Sequence, residues 1–99
     1  MDTPTLKQIL LDELRKYAKR GLNATSYLMH NEAEQIYAVV DIAMIRGKRS
    51  AGTALIARLA GERIVIELDR NDKELVDALK ARDVPADQII LAYRGELMG

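Results

Sequence analysis

One histidine and a few polar neighbours are the residues of this chain that could carry acid–base chemistry. His30 is the only histidine, and Ser26 and Asp41 lie on either side of it in the sequence. Their spacing matches neither the nucleophile elbow of α/β-hydrolases nor the arrangement of chymotrypsin-like proteases. We therefore interpret His30 as a polar residue near the end of a strand, and a catalytic role is the alternative.

Three aspartates, one of them Asp41, are candidates for helix capping, metal binding, general-base catalysis or a contact. Asp69 and Asp72 fall where a strand is expected to give way to a helix, and acidic residues there commonly act as caps. A metal or general-base role is the alternative for this pair. Asp41 lies inside an apolar strand, so we expect it either at a subunit contact or paired with Arg58.

Arg46, Lys48 and Arg49 form the sharpest positive feature, in a turn that we place at Arg46–Ser50. Such side chains can contact a phosphate backbone, although hairpin turns are also often basic for solubility. The glycines belong to no phosphate-binding loop pattern, and the four tyrosines are too scattered to form a base-stacking platform. DNA contact through this turn, together with the basic end of the first helix, is therefore the alternative to binding a protein.

The composition excludes several kinds of site. The 99 residues include no Cys and one His, which removes disulfides, thiolate nucleophiles and metal sites built on Cys or several His. Fifteen basic residues balance fifteen acidic ones, which argues against a broad positive field for nucleic acid. The charge is unevenly spread: positions 1–20 hold five basic and three acidic residues, and positions 62–87 hold eight acidic and five basic. A neutral, polarised surface suits protein–protein contact.

We expect one cytoplasmic domain over residues 1–99, without a cofactor or a membrane contact. The chain is close to the usual size of a single domain. No apolar signal-peptide core follows Met1, and no apolar run approaches the about 20 residues that cross a bilayer.

Hydrophobic spacing predicts an α+β fold with the order α-β-β-β-β-α-β, in which helices pack against a small antiparallel sheet. In the first helix, Thr3 is the expected N-cap, Pro4 takes the first helical position and Gly21 ends the helix. In the second helix, Asn71 is the expected N-cap and Glu74 its capping-box partner. The predicted strands are Ser26–His30, Gln35–Ile45, Ala51–Leu59, Arg63–Asp69 and Ile89–Tyr93, and the predicted helix stripes are Leu6, Ile9, Leu10, Leu14, Tyr17 and Leu75, Val76, Leu79.

Strand Gln35–Ile45 is apolar on both faces, which is typical of a strand that is central or covered on both sides. Together with the small core, this pattern predicts a homodimer. In strand Arg63–Asp69 the alternation turns Ile64 inward and Val65 outward. The two faces of Gln35–Ile45 are Ile36, Ala38, Val40, Ile42, Met44 on one side and Tyr37, Val39, Asp41, Ala43, Ile45 on the other.

Three stretches of the chain resemble the XisI family, the element excision controlling factors of cyanobacteria and related bacteria. The opening helix, from Leu6 to the pair Tyr17-Ala18, is similar to the start of the family. The meander over residues 36–69 and the segment 74–93, with Val84-Pro85 before the last strand, are also similar. The family usually has a tryptophan at Val65, a histidine near Ile56, a Gly-Thr-Glu run at residues 70–72 and a proline-rich tail after Tyr93, and this chain departs from it there.

The resemblance implies a non-enzymatic controlling factor that acts with a XisH-like protein during excision of a DNA element by a separate recombinase. It also implies an α+β fold with a small antiparallel sheet. We expect the partner to contact the sheet face that carries Tyr37 and Asp41, together with Arg46, Lys48 and Arg49.

Overall fold

The structure, a computed structural model, describes residues 1–97 and contains two helices and a five-stranded sheet. This element order confirms the predicted α+β class. The elements are α1 (Thr3–Arg15), β1 (Ala24–Asn31), β2 (Ile36–Ile45), β3 (Lys48–Ala60), β4 (Arg63–Asp69), α2 (Leu75–Ala81) and β5 (Ile89–Leu91), with short 3-10 turns at Ala86–Gln88 and Ala92–Arg94.

The strands lie in the order β1-β2-β3-β4-β5, and the first four form the predicted antiparallel meander. Strand β5 is the exception to the predicted antiparallel sheet, because it runs parallel to β4. The chain leaves the end of β4, passes through α2 and returns beside β4, and such a crossover is what a parallel pair requires.

One face of the sheet, the core face, packs against both helices. Val65 faces away from this core, as the alternation with Ile64 and Ile66 predicts, but it is buried there at 1% exposure. It lies on an internal strand, with Arg58 and Ile90 as its cross-strand neighbours. The core cluster is Leu6, Ile9, Leu10, Leu14, Tyr37, Val39, Leu55, Ala57, Leu59, Ile64, Ile66, Leu75, Val76, Leu79, Val84, Ile89 and Leu91.

The ends of α1 differ from the prediction. Asp2, rather than Thr3, is the N-cap, and its Oδ1 accepts a hydrogen bond from the Thr5 amide at 2.8 Å. The helix ends at Arg15 instead of running to Gly21. Residues 19–21 instead lie beside the start of β1, where Lys19 O accepts a hydrogen bond from the Ser26 amide at 2.7 Å.

The start of α2 also differs, because the helix begins at Leu75 and Asn71 does not cap it. The capping carboxylate belongs to Asp69, whose Oδ2 accepts from the Leu75 amide at 2.7 Å and whose Oδ1 accepts from the Asn71 amide at 3.0 Å. One aspartate at the end of β4 therefore sets both the turn and the helix that follow.

The β2–β3 hairpin turns on two residues rather than five. Arg46 and Gly47 have φ angles of 52° and 76°, as in the type I′ turns that suit the twist of tight hairpins. Lys48 already belongs to β3. Further from the turn, Val39 pairs with Leu55 and Val40 pairs with Thr53. Ala54, between these two β3 residues, therefore has no partner in β2 and forms a β-bulge.

Candidate protein-interaction surface

The face of the sheet opposite the helices, here called the outer face, is apolar and exposed over β1 and β2. Its large side chains have exposed fractions from 36% at Ile36 to 58% at Met29. The register explains their grouping, because alternate residues of paired strands point to the same face. An exposed apolar patch of this kind commonly marks an interaction site. The exposed members are Tyr27, Met29, Ile36, Ile42 and Met44.

Tyr27 and Met29 are outer-face residues that the sequence alone does not mark as partner contacts. The available signal was the alternation within the short strand Ser26–His30, which places both residues on one side. It becomes informative only with the register, which sets Tyr27 opposite Val40 and Met29 opposite Ala38.

The three cations of the hairpin are exposed but do not converge on one spot. Arg46 occupies the turn, while Lys48 and Arg49 are successive residues of β3 and point to opposite faces. Arg49 pairs with Met44 and therefore borders the outer face, whereas Lys48 pairs with Ile45. This end of the hairpin has no β4 neighbour, because the β3–β4 pairing begins at Leu55.

Asp41 is half-buried and accepts a hydrogen bond from Ser26 Oγ at 2.6 Å. The expected Asp41–Arg58 pair is wrong: Arg58 lies opposite Ile36, and its Nε donates to Glu67 Oε2 at 2.8 Å. The Ser26 bond ties β1 to β2 on the side opposite the outer face.

Tyr37 lies on the core face and is fully buried, so it cannot contact a partner in this conformation. Both faces of β2 are apolar, and the helices cover the one that carries Tyr37 and Val39, although Ile45 at the hairpin end of that face is 59% exposed. Its hydroxyl has no hydrogen-bond partner within the described part of the chain. Burial raises the pKa of Tyr37, so this hydroxyl stays neutral.

His30 and the carboxylates Asp69 and Asp72 are not brought together. His30 lies on the edge strand β1, and its Nδ1 is 3.3 Å from Glu32 Oε1. Asp69 lies at the end of β4, with β2 and β3 between the two strands. Asp69 acts as the cap described above, so the expected capping role of an acid at this junction is confirmed for Asp69.

A groove of about 830 Å³ lies between the end of α1 and the start of α2. Its lining carries both signs of charge, and internal bonds hold several of its polar groups. Tyr17 Oη donates to Lys73 O at 2.6 Å, and burial raises the pKa of Tyr17 to about 12. Glu13 Oε2 lies 2.9 Å from Lys16 Nζ and 2.8 Å from Arg82 Nη1. The apolar outer face is therefore the stronger candidate for binding another protein.

Neither helix within residues 1–97 is long and apolar enough to span a membrane. In the same range, no group of three or more His, Cys, Asp or Glu side chains is arranged to hold a metal ion.

The fold and the exposed face define a small α+β domain with an apolar surface that its own helices leave uncovered. The XisI family, described as "XisI protein", matches residues 2–98, and the chain belongs to this family. The predicted resemblance is thereby confirmed.

Two solved structures share the fold. The fdxN element excision controlling factor XisI from Anabaena variabilis has a TM-score of 0.70 and 20% identity, with 89% of this chain and 88% of that chain covered. A XisI-like protein from the same organism has a TM-score of 0.68 and 14% identity, with 89% and 80% covered. A comparison with curated proteins gave no match.

Proposed function

We propose that this chain controls the excision of a DNA element by binding another protein, and that it does not catalyse the DNA chemistry itself. The observation that carries the proposal is the uncovered apolar outer face on a chain of zero net charge. Family membership supports the excision role, since a structural relative is an fdxN element excision controlling factor. Such a role requires access to the chromosome, so we propose that it acts in the cytoplasm.

The partner that we propose is a XisH-like protein, and the contact is the outer face with the hairpin. An apolar centre with a polar rim is the usual anatomy of a protein interface. Ile42 and Met44 supply the centre at the hairpin end, and Arg49 borders it. Arg46 lies at the turn beside this centre, and we propose it as a peripheral contact. Lys48 and Asp41 point to the opposite side of the same hairpin, and we propose them as contacts for a partner that reaches around it.

The test is co-expression of this chain with a XisH-like protein, followed by size-exclusion chromatography and an affinity titration. Ile42→Glu places a charge at the centre of the contact, and we expect it to weaken binding at least about tenfold, or about 1.4 kcal/mol. Leu22→Glu is the matched control, because Leu22 is a fully exposed apolar residue outside the sheet. It should bind like the wild type.

Two outcomes oppose the proposal. Separate elution of the two wild-type proteins would exclude the partner. Equal affinity of Ile42→Glu and wild type would move the contact away from the outer face.

Direct DNA contact through Arg46, Lys48 and Arg49 is the second candidate, favoured by the exposure of all three side chains at one end of the hairpin. Three phosphate contacts would give a slope of about −3 in log affinity against log salt concentration. The triple substitution to Gln should remove that slope. Undetectable binding at low salt would rule the DNA function out.

A further inference from the structure

Strand β1 forms an edge of the sheet, and a short segment covers only its first part. Gly21 N donates to Ala24 O at 2.8 Å, and Ser26 N donates to Lys19 O at 2.7 Å. Residues 19–21 therefore lie along this edge, on the side away from β2. The covering ends at Ser26.

The rest of the edge, residues 27–31, is open. Hydrogen-bonding groups alternate along a strand, so the amide and carbonyl of Leu28 and of His30 point to the same side as those of Ala24 and Ser26. No strand within residues 1–97 pairs with them. Natural edge strands are usually blocked by charges, especially Lys, or by Pro. The open segment Tyr27-Leu28-Met29-His30-Asn31 contains no Lys, Arg, Asp, Glu or Pro.

We infer that this open edge pairs antiparallel with the same edge of a second copy, which joins the two sheets into one of ten strands. The twofold axis passes at Met29, so Leu28 of each copy forms a hydrogen-bonded pair with His30 of the other. The two pairs exchange four backbone hydrogen bonds. A register centred on Leu28 would need the Ser26 amide, which Lys19 already holds.

The length of the open edge fits this register. It is limited at one end by the covering segment beside Ser26 and at the other by the turn after Asn31. A second copy of β1 therefore ends at Asn31, opposite Tyr27, where the covering segment begins. Because each copy uses the same open segment and both ends of that segment are blocked, the result is a closed, isologous dimer.

Charge supports a second copy as the occupant. In this register the paired strand of one copy ends at Asn31, and the turn that begins with Glu32 passes next to Lys19, which occupies the position opposite Ser26 of the other copy. Glu32 pairs with Lys7 of its own chain and lies at the surface beside this segment. An acidic turn therefore meets a basic segment twice, once on each side of the axis. On the outer face, Tyr27 and Met29 of both copies form one apolar strip.

Cysteine cross-linking tests the register directly, because the natural chain has no Cys. Met29 faces its own copy in a non-hydrogen-bonded pair with Cα atoms about 4.5 Å apart, within disulfide range. Met29→Cys should give a disulfide dimer on mild oxidation. Tyr27→Cys alone should not, since the two sites are about 14 Å apart along the strands. A mixture of Tyr27→Cys and Asn31→Cys should cross-link, because Tyr27 lies opposite Asn31.

Light scattering gives a second test without cysteines. His30→Pro removes an amide that points to the open edge and leaves the β1–β2 ladder intact, so we expect a folded monomer. His30→Thr keeps the amide and should remain a dimer like the wild type. Circular dichroism confirms that the proline variant is folded.

Several results would overturn the pairing: a monomeric wild type at high concentration, a dimeric and folded His30→Pro, or cross-linking of Tyr27→Cys as efficient as that of Met29→Cys. The proposed dimer does not depend on the proposed excision role. Ile42→Glu should remain a dimer even where it fails to bind a XisH-like protein, so failure of one proposal is distinguishable from failure of the other.

Discussion

The two faces of β2 carry similar apolar side chains but have different surroundings. Tyr37 and Val39 lie in the core beneath the helices, while Ile42 and Met44 on the opposite face stay exposed. The residue types alone do not separate the faces. The comparison teaches that apolar residues on both sides of one strand can serve two purposes, folding on one side and association on the other.

The largest expected difference in stability is between a substitution on the core face of the sheet and one on its outer face. Ile64→Ala removes a fully buried side chain from the core, and we expect a loss of about 2–5 kcal/mol in the free energy of unfolding. Ile42→Ala removes an exposed one, and the loss should stay within about 1 kcal/mol. Urea denaturation measures both. Equal losses would mean that the outer face also contributes to the stability of the monomer.

A smaller effect on stability is expected from Glu13, a buried carboxylate of α1 on the core side of the sheet. Burial acts to raise its pKa, but hydrogen bonds from Lys16 and Arg82 outweigh burial and lower the pKa below 4.5. The stabilisation is therefore complete above about pH 4.5 and is lost as the pH falls through the folded-state pKa.

Glu13→Gln should reduce the free energy of unfolding by about 1–2 kcal/mol at neutral pH and flatten its decline in acid. Thermal unfolding between pH 3 and pH 7 checks this prediction. A variant that keeps the full acid dependence of the wild type would assign that dependence to other carboxylates.

The smallest expected change in the free energy of unfolding comes from substitution of Tyr37, and it is a gain rather than a loss. Its buried hydroxyl has no partner among residues 1–97, and an unsatisfied buried group is costly. Tyr37→Phe removes that cost and should leave the protein equally stable or stabilise it by up to about 1 kcal/mol. A loss above 1 kcal/mol in urea denaturation would indicate that the hydroxyl makes a bond in solution.

The fold was predictable because its strongest signals are local. The helical spacing of Leu6, Leu10 and Leu14 and the alternation of Ile64 and Ile66 identify elements whose buried faces the structure confirms. The helix boundaries were less predictable. Asp69 is six residues from the Leu75 amide that it caps, and that bond depends on how the intervening loop folds.

The site was predictable only in part. The exposed cations of the hairpin follow from its composition, but which face of β2 meets the helices does not, because both faces are apolar. Tyr37 was therefore expected at the surface and lies in the core. The grouping of Met29 with Met44 depends on the β1–β2 register, which local patterns do not determine.

The extra residue Ala54 shifts the pairing of β3 with β2 by one residue between the hairpin end and the core. The turn at Arg46-Gly47 sets the pairing from one end, and the packed residues Val39 and Leu55 set it from the other. A shift of one residue in a strand would turn every later side chain to the wrong face. Continued without a bulge, the pairing set at Ile45 and Lys48 would bring Ala54 opposite Val39, and the bulge brings the larger Leu55 there instead. The bulge therefore places a fully buried leucine in the core where regular pairing would place an alanine.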